Sequence, residues 1–168
     1  RGLGDVYKRQ GMGNVGDKIL KHHLTADKVP GTEDISTIAW SGDRGLTLVE
    51  MGPFGVIGAI TPATNPSETV ICNCIGMLAG GNTVVFNPHP NAKKTTIYTI
   101  NMINEASIEA GGPDNIAVTV EAPTLDTSAI MMKHPSIHLL VATGGPGVVT
   151  AVLSSGTVSY THLTLPTI

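Results

Sequence analysis

The sequence predicts an α/β fold built on a doubly wound, parallel sheet. Three observations carry that expectation. Short apolar strands rich in β-branched residues alternate with helical segments along most of the chain. The connections between them are short, as right-handed β-α-β crossovers require. Two strand-to-helix turns, TPATNP at 61–66 and TGGPG at 143–147, combine Gly, Pro and Asn where such sheets present their carboxyl edge, the edge at which open α/β folds take ligands.

The elements follow in order. GMGNVG at 11–16 is glycine-rich, but no strand precedes it and its spacing is not that of a dinucleotide loop, so Gly11 to His23 reads as the end of a longer helical region, helical over Asp17 to Leu24. His22 and His23 are adjacent and face different directions on a helix. With no further ligands at metal spacing, they are expected to be solvated, and no metal site is expected. Thr25 to Arg44 reads as irregular, with a turn at Pro30–Gly31. Leu46 to Met51 alternates as a strand, and Gly52–Pro53 leads to a second one, Phe54 to Ile60, the two forming an extended ribbon.

That second strand breaks at Thr61 and Pro62, and a helix starts after Asn65 and Pro66. Proline suits a first helical position, and Glu68 suits the positive end of the helix dipole. Asn65 then has two readings: a helix cap, or an amide donor to an oxygen that becomes negative during a reaction. The helix runs to Ala79 and ends at Gly80–Gly81. It carries Cys72 and Cys74, both expected to be buried or half-buried packing residues rather than reactive thiols.

Thr83 to Asn87 is a buried strand running into the stiff Pro88–His89–Pro90 loop. The helix over 91–110 opens with Lys93 and Lys94. Cations there oppose the helix dipole, which leaves two readings, a nearby anion or simple solvation. Ile116 to Val120 is the next strand, Thr124 to Lys133 a short helix, Ile137 to Ala142 another strand, and Val148 to Ser154 a final helix.

The two termini read differently from the rest. Back-translated, DVYKRQ at 5–10 is GAT GTG TAT AAG AGA CAG; its reverse complement, read from the third base, encodes VSYTH and the start of Leu, the residues at 158–163. One short DNA element read on both strands explains both ends, as a library adapter would, so residues 1–10 and 158–168 are expected to be non-native flanks. The flanks hold Arg1, Lys8, Arg9 and Asp5. Without them seven of the ten basic and twelve of the thirteen acidic residues remain, and the formal charge moves from −3 to −5. An acidic, patternless balance excludes nucleic acid and membrane surfaces as expected partners. The remaining stretch, about 147 residues, suffices for one domain core. Two cysteines make no disulfide framework, and the expected compartment is the cytoplasm.

Taken together, ITPATNPSET, GGNTVVFNPHPNAKK, AGGPDNIAVTV and ATGGPGVV closely resemble the aldehyde dehydrogenase superfamily. Within it, the PHP loop paired with TGGPG resembles the coenzyme-A-acylating branch that acts on acetaldehyde or propionaldehyde in ethanolamine and propanediol breakdown. The resemblance implies a Rossmann-like NAD-binding domain over 53–157, truncated, preceded over 11–52 by a helical end and part of an oligomerisation arm. It implies NAD as cofactor, coenzyme A as co-substrate, a short-chain aldehyde substrate, a homo-oligomer, and a cytoplasmic location that includes the interior of bacterial microcompartments. Asn65 matches the family's oxyanion asparagine, with Thr61 and Pro62 shaping its turn. Asn87, Pro88 and His89 match the loop beside the adenosine, where Asn87 replaces a lysine of many non-acylating relatives. Gly144 and Gly145, framed by Thr143 and Val148, match the turn beside the pyrophosphate. The family's nucleophilic cysteine lies beyond Gly156, and neither Cys72 nor Cys74 matches it, so the chain reads as a catalytically incomplete piece. The aldehyde half of a bifunctional aldehyde–alcohol dehydrogenase is the runner-up, and a non-catalytic nucleotide-binding module is the alternative of another class.

Overall fold

A computed structural model describes residues 14–163. The amino-terminal flank, Gly11–Gly13 of the glycine-rich start, and residues 164–168 lie outside the described residues. Asn14 accepts the Gly16 N–H at 2.9 Å and opens helix α1, Val15–Lys28, which runs past Leu24. It stops where Pro30 forces the preceding residue out of helical conformation; Val29 has ψ 126°.

The irregular stretch expected up to Arg44 contains a strand instead. β1, Ile38–Gly42, pairs antiparallel with β2, Gly45–Val49, across Asp43–Arg44. The partner of β2 is therefore β1 and not the strand after Gly52–Pro53. Proline offers no N–H to a ladder, and Gly55 at φ +102° redirects the chain before β3 begins. Ile38, Trp40, Leu46 and Leu48 are all exposed on this hairpin.

The main sheet has five strands in the order β5-β4-β3-β6-β7 and is parallel throughout. β3, Val56–Thr61, lies at its centre, between β4, Thr83–Pro88, and β6, Ile137–Gly144. β5 is Ala117–Thr119. The chain leaves β3 toward β4 and later returns to β3's other side as β6, which makes the β3/β6 crevice the topological switch point. The register aligns Thr61 with Pro88 and Ile60 with Asn87 and Ala142, so the predicted turns end at one level.

Alternation along the strands loads both faces. On one side Ala59, Val84, Phe86 and Ala117 meet Val70 and Cys74 of helix α2, Pro66–Ala79, and Ile100 of helix α3, Lys93–Glu109. On the other, Ile60, Leu140 and Ala142 meet Met131 and Met132 of helix α4, Leu125–Met132, and Val152 of helix α5, Pro146–Leu153. Gly58 lets strands and side chains close up: a Cβ there would lie 2.9 Å from Leu140 Cδ2 and 3.2 Å from Ile137 Cγ2. Asn82 ties the α2–β4 turn to the entry of β3, accepting the Phe54 and Gly55 N–H groups at 2.7 and 3.1 Å and donating to the Met77 carbonyl at 3.0 Å.

β7, Ser159–Leu163, falls on the stretch read as a flank and adds to the sheet from Leu140↔Ser159 to Gly144↔Leu163. Main-chain pairing at an open edge is largely indifferent to side chains, and VSYTHL has high strand propensity. None of its described side chains is buried. Among the described residues, no helix is long and apolar enough to cross a membrane.

Candidate functional site

The carboxyl ends of β3, β4 and β6 surround a cavity of about 550 Å3. Its walls include Thr61 and Pro62 after β3, Asn87, Pro88 and His89 at the end of β4, and Thr143, Gly144, Gly145 and Val148 at the start of α5. Every residue expected on the cofactor side is thus brought to one space. The PHP loop is tied to β3 by the His89 N–H, which donates to the Thr61 carbonyl at 3.1 Å. His89 Nδ1 in turn accepts the Asn91 N–H at 3.2 Å.

Sequence reasoning missed the α4 side of this cavity, which Pro123, Thr124, Leu125 and Ser128 supply. A signal was present: Thr124 and Thr127 form a capping box, which fixes where α4 begins and places Ser128 in its first turn. The Asn87 amide donates to Ser128 Oγ at 2.6 Å. This leaves Asn87 Oδ1 buried with no protein partner, as is Thr61 Oγ1. Both residues line the cavity, and each carries a buried polar atom without a protein partner. Gly145 has the ordinary backbone values φ −74° and ψ 171°, and a Cβ there would meet nothing within 4 Å. Neither backbone conformation nor packing calls for glycine at this position.

Asn65 lines a second cavity of about 470 Å3, bounded also by Lys21, Glu68, Thr69, Cys72, Asn73 and Thr143, and closed on one side by Tyr160 and His162 of the stretch read as a flank. Thr143 borders both spaces. Asn65 occupies the N-cap position of α2, and its carbonyl accepts the Thr69 N–H at 3.1 Å and the Thr69 hydroxyl at 2.6 Å. Its side chain makes no capping bond. The amide oxygen instead receives Lys18 Nζ at 2.7 Å, with Lys21 Nζ at 3.5 Å. The side-chain capping reading is therefore overturned, because two lysines from α1 compete for that oxygen.

Three further expectations change around it. Glu68 does more than face the helix dipole: it is buried and pairs with Lys18 Nζ at 3.1 Å. His22 is half-buried rather than solvated, with Nε2 2.7 Å from Ser67 Oγ, while Ser67 donates to Glu68 Oε2 at 3.1 Å. Cys72 is exposed, although Cys74 is buried as expected. Desolvation raises the Cys72 thiol above its ordinary value and pushes Cys74 up to about 12. Both shifts run against the thiolate that a nucleophile needs. Lys93 and Lys94 do not line either cavity. Among the described residues, no group of three or more His, Cys, Asp or Glu is placed to hold a metal.

The profile of the aldehyde dehydrogenase family matches residues 8–167. The acetylating acetaldehyde dehydrogenase of Bilophila wadsworthia is 51% identical over 144 residues, which are 86% of this chain and 30% of that one. A propionaldehyde dehydrogenase from the Clostridium phytofermentans fucose utilisation bacterial microcompartment superposes with a TM-score of 0.89 at 72% identity, covering 92% of this chain and 35% of the other. The Rhodopseudomonas palustris propionaldehyde dehydrogenase with bound propionyl-CoA gives 0.90 at 51% identity, over 94% and 35%. The bifunctional aldehyde–alcohol dehydrogenase of Escherichia coli is more distant, 36% identical over 87% of this chain and 17% of its own length. This chain spans about a third of the length of the single-function relatives. It belongs to the aldehyde dehydrogenase family.

Proposed function

We propose that the chain is the cofactor-side part of a CoA-acylating, NAD-dependent aldehyde dehydrogenase acting on short-chain aldehydes. The observation that carries this is the cavity at the switch point, where Asn87 Oδ1 and Thr61 Oγ1 lack protein partners beside a glycine that packing does not require. NAD held there would supply the hydride acceptor, and coenzyme A the acyl acceptor, for an aldehyde carried on a cysteine that neither Cys72 nor Cys74 matches. The roles of this chain are binding and charge stabilisation. Asn87 and Thr61 accept from ribose hydroxyls. His89 and Pro88 wall the adenosine, and Gly144 and Gly145 admit the pyrophosphate beside the N-terminus of α5, where helix dipole and absent side chains both favour an anion. Asn87, smaller than a lysine, suits a site that receives two adenine-bearing ligands in turn. Thr143 links this space to Asn65, whose amide donates to the oxyanion of the reacting aldehyde.

The greater identity to single-function enzymes than to the bifunctional one favours a single-function parent. The exposed apolar hairpin β1–β2 supports an oligomerising arm, and the microcompartment origin of one structural relative supports such a location for the parent. Residues 1–10 and 158–168 are read as adapter-encoded, so the full-length enzyme is recovered by sequencing outward from Gln10 and Thr157. The purified chain is expected to reduce no NAD with propanal and CoA, while the full-length enzyme does. Turnover by the chain alone would overturn the placement of the nucleophile, and an inert full-length protein would return the chain to the nucleotide-binding-module reading.

A further inference from the structure

Lys18 lies far from its residue type's usual setting. It is buried at 8% exposure, on a helix whose neighbouring Ile19, Leu20 and Leu24 are exposed. Its Nζ reaches across to the start of α2, donating to the Thr64 carbonyl at 3.0 Å and to Asn65 Oδ1 at 2.7 Å, and pairing with Glu68 Oε1 at 3.1 Å. Glu68 is steadied from its other oxygen by Ser67, and Ser67 lies 2.7 Å from His22 Nε2. Two helices distant in sequence are thus joined by a buried polar network directly behind the Asn65 amide.

An ammonium group only donates, so an asparagine facing it can present only its oxygen. The two ends of an amide are otherwise exchanged by a half-turn of χ2. A flipped Asn65 would turn lone pairs, not N–H groups, toward any developing negative charge. Lys18 forbids that flip, and its charge on Oδ1 polarises the amide and strengthens Nδ2 as a donor. We propose that Lys18 is a positioning residue that selects the donor-outward orientation of Asn65 and thereby makes the oxyanion site competent. The proposal rests on the oxyanion role assigned to Asn65 above.

The test compares Lys18→Met, Asn65→Ala, the double variant and Lys18→Met/Glu68→Gln in the full-length enzyme, reading kcat, KM for NAD and the thermal midpoint. Lys18→Met is expected to lower kcat by about 10-fold or more, short of the roughly 100- to 1000-fold of deleting the donor itself, with KM for NAD nearly unchanged. Because Lys18 acts through Asn65, adding Lys18→Met to Asn65→Ala is expected to cost little more. Lys18→Met strands Glu68 without its cation; Lys18→Met/Glu68→Gln removes that burden and is expected to regain stability but not rate. A slow Asn65→Ala beside a normal Lys18→Met, losses that multiply in the double variant, or full rate in Lys18→Met/Glu68→Gln would each overturn the positioning role. A normal rate in Asn65→Ala would remove the underlying oxyanion reading as well.

Discussion

Asn65→Ala in the full-length enzyme is expected to lower kcat by about 100- to 1000-fold while leaving KM for NAD little changed. The split follows from where the residue sits. Asn65 does not line the cavity that gathers Thr61, Asn87, His89 and Gly144; it borders the neighbouring space, which meets the first at Thr143. Its amide makes no capping bond in α2, which is started by its backbone carbonyl through Thr69, although its oxygen accepts from Lys18 Nζ. Truncation therefore removes a donor without removing a cap, and the effect should fall on the step in which carbonyl oxygen becomes negative. Steady-state kinetics with propanal, at saturating and limiting NAD, checks this. An equal loss in NAD affinity would move Asn65 into the cofactor site.

The largest stability effect is expected at Phe86. It is fully buried in β4, between the central strand β3 and the edge strand β5, in the cluster with Ala59, Val70, Cys74, Val84, Ile100 and Ala117. Several of these neighbours are small, and parallel strands on both sides hold the backbone in register, so collapse around a deleted ring is restricted. Phe86→Ala should cost about 3–5 kcal/mol. By contrast Leu153→Ala, at a side chain 61% exposed on α5, should change stability by no more than about 0.5 kcal/mol. Denaturant unfolding of the two full-length variants beside the parent measures both. A small loss at Phe86 would mean that the α2/α3 side of the sheet is loosely packed.

The fold was legible where burial writes itself into local pattern. β3, β4 and β6 are β-branched runs closed by Pro, Gly and Asn, and α2, α3 and α4 carry recognisable ends. β1 was not legible, because all five of its residues are exposed and no alternation marks it; the hairpin register comes from Asp43–Arg44. The extension of α1 to Lys28 was missed because Thr25 and Asp27 are weak helix formers that tertiary contact does not forbid. Within the site, TPATNP, NPHP and TGGPG identified three walls, since turn chemistry at strand ends is local. The fourth wall at Thr124 and Ser128 depends on α4 folding back over β4, and Lys18 meets Asn65 across 47 positions of sequence. Such pairs follow from strand order and helix packing, which no short window contains.

Transfer of the acyl group to coenzyme A rather than to water separates the proposed parent from a hydrolytic enzyme, and product analysis distinguishes the two. With propanal, NAD and CoA, the full-length enzyme should form propanoyl-CoA and NADH in equal amounts. With CoA omitted, NADH should stop near the amount of enzyme present. Steady accumulation of propanoate and NADH without CoA would contradict the account and place the protein with the hydrolytic aldehyde dehydrogenases.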